Sequence, residues 1–319
     1  MKIKVGTFNL YQFVKPPYSW YTKKEKFNDL QWIEKTTWIK SQILKMDCDI
    51  IGFQEVFCKD ALEQLVKELG FEYFETVDVA KFSNKTYIST TVALASKYPI
   101  SKMHNFTSTF TFARIPIKAS ITLPNNNELL VYVAHLKSNR ENEFEYIFNK
   151  EHTLEHKKEV VAKVLEERSS TSLKQRLGEA SGLFFDMKNH IDNPIVLLCD
   201  FNDKEFSLCI EALSNYKYHD KNSVEDLLLY DASYYYKELI YNPHPKAKEP
   251  KRKATSYFLG KGSVLDYIFI SKHFKISNYT VLDEHLFEHG IDLLIKSDHA
   301  QVVCELEYSM DSLANYSQV

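Results

Sequence analysis

The sequence has no close pair of cysteines, no long apolar run and no excess of positive charge, and each absence removes a class of protein. Its five cysteines, Cys48, Cys58, Cys199, Cys209 and Cys304, are scattered and odd in number. That excludes a dedicated zinc cage or redox pair and leaves reduced thiols, in a cytoplasmic setting, as the expectation. No apolar stretch reaches about 18 residues, so no transmembrane segment is expected. The first residues, Lys2-Ile-Lys-Val-Gly-Thr-Phe8, read as a strand rather than a leader. A formal charge of -3 and a pI near 6.4 exclude a globally basic nucleic-acid binder, so a polyanion must be met by a local patch. There is no internal repeat and no linker long enough to compel a boundary. With 44% apolar residues in 319, the chain can bury a substantial core. The length allows either one large domain or two, and we expect a frayed tail over 309–319 and a monomer.

What the sequence does have is a set of apolar rows that end in polar side chains. Ile195-Val-Leu-Leu-Cys-Asp-Phe-Asn-Asp203 reads as a buried strand delivering Asp200 and Asn202 to its carboxyl end, since residues two apart on an extended backbone point the same way. Ile3, Val5, Thr7 and Asn9 form one row, Ile51, Phe53 and Glu55 another, and Leu129, Val131, Val133 and His135 a third. Ser263 to Ile270 reads as a strand with Asp266 embedded in it, and Ser297-Asp-His299 opens the last strand. Between them, Tyr11 to Lys26 reads as an aromatic, basic loop, and Leu30, Ile33, Thr37, Ile43 and Leu44 recur at helical spacing. Further helices are expected over Asp60 to Leu69, over two segments between Glu141 and His190, and from about Glu205 to Leu213.

A turn explains one polar strand end but not a set this rich in hard oxygen donors and imidazoles. Several such ends make a cleft at one edge of a packed sheet. Glu55 and Asp200 with two amides suit Mg²⁺ or Mn²⁺, which prefer oxygen ligands. Neighbours on a strand face opposite ways, so Asp298 is poorly placed to orient His299, and Asp266 on another strand is the candidate partner. Two basic features stand out in an acidic chain: Lys137 with Arg140, and the segment from Lys246 to Lys253.

Thr7-Phe-Asn9, Gln54-Glu55, His135-Leu136, Asp200-Phe-Asn202, Leu265-Asp-Tyr-Ile268 and Ser297-Asp-His299, in this order, resemble the endonuclease/exonuclease/phosphatase superfamily. The resemblance spans nearly the whole chain and implies one catalytic domain, over 1–308. It implies an α/β fold, a four-layer α/β/β/α sandwich of two mixed β-sheets packed face to face with helices on both outer sides. It also implies a phosphodiester hydrolase using Mg²⁺ or Mn²⁺, with DNA as the expected substrate. By the same resemblance Glu55 is the principal metal ligand, with Asn9 beside it and Asp298 at or near the metal. Asp200 aligns or deprotonates the attacking water, Asn202 holds a phosphate oxygen, and His135 and His299 stabilise the transition state or transfer protons. Asp266 orients His299. Arg114 matches a phosphate-binding arginine of deoxyribonuclease-like members, and Lys137 adds charge nearby. Cys199 departs from the glycine many relatives carry before Asp-Phe-Asn, and no acid supporting His135 is apparent. A sphingomyelinase-like or small-molecule phosphoesterase and a non-catalytic scaffold of the same fold are the alternatives.

Overall fold

The computed structural model describes residues 1–139, 147–168, 170–219, 229–237, 252–258, 261–287 and 295–308. Two six-stranded sheets dominate it. The first has the order Phe274–Leu282, Gln301–Tyr308, Lys2–Phe13, Ile50–Val56, Thr91–Ser96 and Tyr73–Glu75. The second runs Tyr230–Asp231, Asp266–Ile270, Ile195–Asp200, Glu128–His135, Ile117–Thr122 and Ile100–Met103. Each sheet holds a parallel pair at its centre, Lys2–Phe13 with Ile50–Val56 and Glu128–His135 with Ile195–Asp200, and is otherwise antiparallel. Both are therefore mixed.

Alternation decides which side of each strand faces what. Ile3, Val5 and Ile50 of the first sheet meet Val131, Val133, Val196, Leu198 and Ile268 of the second in one buried cluster, so the sheets pack face to face. Phe8, Leu10, Ile51 and Phe53 point the other way, onto helices Asp29–Met46 and Lys59–Lys67. On the far side, Tyr132, Leu197 and Cys199 pack under helices Thr171–Met187 and Leu208–Ser214. Four layers result, as expected. Cys199 is buried on that outer face, behind the strand tip, where a thiol fills helix–sheet space.

Several local expectations are corrected. The Tyr11 to Lys26 stretch is not all loop, because the first strand continues to Phe13 through Tyr11 (φ 50°) and Gln12 (φ 59°), and Ser19–Trp20 joins a small separate sheet. Helix Asp29–Met46 is capped by Asn28 and Gln31, which exchange side-chain bonds to each other's amides at 2.9 and 3.0 Å. Its buried stripe is Lys35, Ile39, Ile43 and Met46, whereas Leu30, Ile33 and Leu44 are exposed. Apolar residues lie on more than one side of this helix, so spacing alone does not select a face. Asp266 is the first residue of its strand rather than embedded in one, the helix expected from Glu205 starts at Leu208 after Ser207, and the last strand begins at Gln301. Strand Phe274–Leu282 carries polar residues and a bulge between Ile276 and Asn278, as suits a sheet edge, and its period is broken in the sequence.

Gly52 faces the other sheet, and a Cβ there would stand 2.9 Å from Leu198 Cβ and 3.0 Å from Val133 Cγ1. Both contacts belong to core side chains that cannot swing away. Gly52→Ala is expected to lower stability by about 1–3 kcal/mol through overpacking, read as a reduced urea midpoint; an unchanged midpoint would show that the sheets separate freely here.

Candidate active site

The strand register of the second sheet builds half of the site directly. His135 pairs with Asp200 and Asp200 with Asp266, so three neighbouring strands present polar side chains side by side. They lie on the face that buries Val133, Leu198 and Ile268 two residues away, and thus at the end of the space between the sheets. Asn9 ends the facing row of the first sheet, and its Nδ2 donates to Asp200 Oδ2 at 2.8 Å, joining the two sheets. Below it Thr7 and Gln54, both fully buried, bond each other through hydroxyl and amide at 3.0–3.2 Å.

Asp200 is the hub. His135 Nε2 lies 3.4 Å from its Oδ2 and His299 Nε2 4.0 Å from the same oxygen, while Oδ1 accepts from the Asn202 amide at 2.9 Å. Burial pushes its pKa up to about 7, against the lowering pull of His299. His299 Nδ1 bonds Asp266 Oδ2 at 2.8 Å, the pairing expected from alternation. Burial alone would lower the imidazole's pKa, but Asp266, Asp200 and Asp298 outweigh it and hold it well above the usual value. His135 goes the other way: burial, then the positive charges of Arg114, His299 and Lys137, keep it neutral. Asp200 thus stands beside both histidines, while His135 Nδ1 is buried without a hydrogen-bond partner, so no acid holding that ring is found among the described residues. The Asp266 end is fixed by Thr255, whose hydroxyl accepts from the Leu265 and Asp266 amides at 2.9 and 3.0 Å.

Glu55 reaches the site by a different route from the one its strand row suggests. Ile51 and Phe53, its row partners, face the helices. Glu55 instead sits in the left-handed region (φ 58°), where the pairing with both neighbouring strands slips, and its Oε2 accepts from the Gln12 amide at 2.8 Å. Burial and repulsion from Asp298 raise its pKa; burial likewise raises that of Asp298. The Asp298 side chain is 41% exposed, yet its Oδ1 is buried with no hydrogen-bond partner among the described residues. Two mutually repelling carboxylates with an unsatisfied oxygen fit an oxygen-preferring divalent cation. The oxygens and nitrogen of Asp200, Asp266 and His299 also lie within 4.8 Å of one another, but the His299–Asp266 bond already engages two of the three. Asn9 gives its nitrogen to Asp200 and its oxygen to the Tyr11 amide at 3.0 Å. Lys35, fully buried on the first helix, lies near enough for Glu55 and Asp298 to favour its charged form, although burial pulls its pKa down to about 7. Nothing in the sequence separates it from the other lysines of that helix.

On the opposite side, Arg114 Nη1 and Asn202 Nδ2 both donate to the Leu136 carbonyl at 3.1 Å, bringing these two together. Asn202 has a left-handed backbone (φ 50°), so strand alternation stops at Asp200. Sequence reading missed what holds this side. Glu179, fully buried, accepts from the Ala113 amide at 2.8 Å and the Lys137 amide at 2.6 Å. Arg176 donates to the Lys137 carbonyl at 3.0 Å and, through Nε, to Asp203 at 3.4 Å. An Arg and a Glu three apart beside Leu173, Ala180 and Leu183 on one helix are a visible signal of buried charges. Of the two basic features, Arg140 and residues 246–251 lie outside the described residues. The Arg252 side chain is held against Asp231 and Glu205 with 4% exposure, whereas Lys253 is 60% exposed and meets Asp283 at 2.9 Å.

The sequence matches the model of the Endonuclease/Exonuclease/phosphatase family over residues 6–299. The chain belongs to that family. Its members hydrolyse phosphoester bonds and depend on a metal. The fold is similar to the human Nocturnin catalytic domain with bound sulfate (18% identity, TM-score 0.59, covering 97% of this chain and 95% of that one). It is also similar to a family protein from Bacteroides thetaiotaomicron (17%, 0.56, 97% and 99%). A third match is D. rerio TDP2 complexed with a single-strand DNA product (12%, 0.54, 96% and 99%). Comparison with curated protein sequences finds no match. Among the described residues no helix is long and apolar enough to cross a membrane.

Glu179→Ala would take the charged acceptor from two part-buried amides, at about 1–3 kcal/mol each at most. We expect a lower thermal midpoint together with a raised KM for a phosphodiester, because the segments carrying Arg114 and Lys137 lose their tether; an unchanged KM would remove Glu179 from the site's support.

Proposed function

We propose that this chain is a divalent-metal-dependent phosphodiesterase that cuts DNA. The observation carrying the reading is Asp200, a buried carboxylate placed between a neutral histidine, a protonated one and the Asn9 amide. A carboxylate of raised basicity can take a proton from water, and a charged imidazole can give one to a leaving alkoxide. Water oxygen bonds to phosphorus, Asp200 accepts its proton, the bond to the leaving oxygen breaks, and His299 protonates that oxygen. Asp266 holds the imidazole by its other nitrogen. Arg114 and Asn202, gathered on the Leu136 carbonyl, would bind the non-bridging phosphate oxygens, with Lys137 adding positive charge. Glu55 and Asp298, with Asn9 adjacent, would hold Mg²⁺ or Mn²⁺, which when bound supplies charge neutralisation at the phosphoryl group. DNA is favoured by the Arg114 site and by the TDP2 relative bound to a single-strand DNA product.

Plasmid, linear and single-stranded DNA, RNA, sphingomyelin and phosphorylated inositols should be assayed side by side with Mg²⁺ and Mn²⁺ at low salt. Cleavage of DNA, weakening steeply as salt rises, is expected; intact DNA with a hydrolysed lipid or inositol would replace this substrate by the rival one.

Three variants test the roles. His299→Ala should lower kcat by ~10²- to 10⁴-fold, and near-normal turnover would exclude proton transfer. The kcat/KM profile should rise as Asp200 loses its proton, above the ordinary carboxylate range, and fall where His299 loses its own, above the ordinary histidine range. Asp266→Asn removes a carboxylate that raises His299, so the alkaline limb should move to lower pH; a fixed limb would contradict the pairing. Glu55→Gln should diminish the rise in thermal midpoint that Mg²⁺ produces in the wild type, and an equal rise in both would place the cation elsewhere.

A further inference from the structure

Beside the cleft lies a small module that none of the site residues above requires. Strands Ser19–Trp20, Thr86–Tyr87 and Phe82–Ser83 form a three-stranded sheet closed by a turn at Asn84 (φ 49°) and Lys85 (φ 63°). Its own core is Val14, Trp20, Phe27, Phe57, Ala80 and Tyr87. Between this sheet and helix Lys59–Lys67 opens a cavity of about 450 Å³, within the ~300–1,000 Å³ of small-ligand pockets. Four aromatic rings line it: Tyr18, Phe57, Phe82 and Tyr87. Lys15 and Lys59 stand at its edge with the polar ends of Asp60 and Gln64.

Three features converge on one kind of ligand. The first is charge: residues 14–27 and 78–90 hold six lysines against two acids in a chain whose formal net charge is -3. The second is uncovered apolar surface, since Phe82 and Val79, which line the cavity, are each 59% exposed. A patch of this kind rimmed by charge marks a binding surface. The third is continuity. Phe57 lines the cavity, its ring lies 5.8 Å from that of Tyr21, and the Tyr21 phenol is near enough to Arg114 to feel its charge. Neighbouring side chains therefore lead from the proposed phosphate-binding arginine to the aromatic cavity.

Resting on the phosphodiesterase reading above, we propose that this cavity binds an unpaired base of a single-stranded polynucleotide whose scissile phosphate lies at Arg114. Aromatic rings accept any base face, lysines follow the backbone, and a carboxylate and an amide can bond a base edge. A duplex offers no free base, so the cavity makes the enzyme prefer single strands or frayed ends. Exposed apolar residues among lysines would also suit an anionic bilayer. The concave shape and the Asp60 and Gln64 groups in it favour the base, because a flat lipid surface gains nothing from an acid in a hollow.

The test is fluorescence anisotropy of a labelled single strand and of a duplex of equal length, in EDTA so that neither is cut. Wild type is compared with Phe82→Ala, a substitution at an exposed ring, and with Lys85→Glu. Loss of one stacking ring should weaken single-strand binding by about 10-fold while leaving duplex affinity unchanged; Lys85→Glu should weaken both and flatten the salt dependence. If wild type binds and cuts DNA but Phe82→Ala binds the single strand equally well, this inference is overturned and the phosphodiesterase reading stands. If wild type neither binds nor cuts DNA, the DNA substrate falls and the inference with it. Binding to phosphatidylserine vesicles that Phe82→Ala abolishes, with oligonucleotide binding unaffected, would assign the surface to a membrane instead.

Discussion

The hydrogen bond from Asn9 to Asp200 is the constraint on which the rest of the site depends. It spans the open end of the sandwich, where two apolar faces that have packed Ile3 and Val5 against Val133 and Leu198 reach solvent. A carboxylate there has lost most of its hydration, and it stays only because neighbouring donors replace the water. Asn9 supplies one donor from the opposite sheet, the Asn202 amide a second, and the two histidines flank the group. Opposite protonation of these histidines follows from the same geometry. His299 is surrounded by acids, whereas His135 shares the cleft with Arg114 and Lys137. One placement thus yields a carboxylate of raised pKa, a neutral imidazole and a charged one within a few ångströms.

Much of this was legible in the sequence because strands carry a strict two-residue period. The rows ending in Asn9, His135 and Asp200 do converge, and the need for a second acid on His299 follows from the opposite facing of Asp298 and His299. The period fails where the backbone leaves the extended region. Glu55 and Asn202 both have positive φ, and the row containing Glu55 faces the helices until the bulge turns it. Periodicity cannot follow a chain through such positions. Bulges of this kind recur next to active sites, where they re-aim a side chain.

Long-range support was the least legible part. Glu179 and Arg176 belong to a helix far along the chain, yet their charged ends fix the amides and carbonyls beside Arg114 and Lys137. Lys35 lies on a helix whose apolar residues surround it, so its burial becomes visible only once the sheet selects a face. The Lys246 to Lys253 segment shows the converse. Its basic composition reads as a surface loop, and of its two described residues Arg252 is paired with Asp231 and Glu205 while Lys253, largely exposed, meets Asp283. Among the described residues, Arg114 and Lys137 bring positive charge to His135, and further lysines before residue 90 surround an aromatic cavity that composition alone did not set apart.

Hydrolysis of bis-p-nitrophenyl phosphate with Mg²⁺ in ¹⁸O-labelled water, followed by mass spectrometry of both products, tests the central claim most directly. Attack by water held at Asp200 requires one ¹⁸O in the phosphate monoester and none in the nitrophenol, and the labelled product should all but vanish in Asp200→Asn. Label in the nitrophenol, or labelled phosphate formed at the wild-type rate by that variant, would contradict the account.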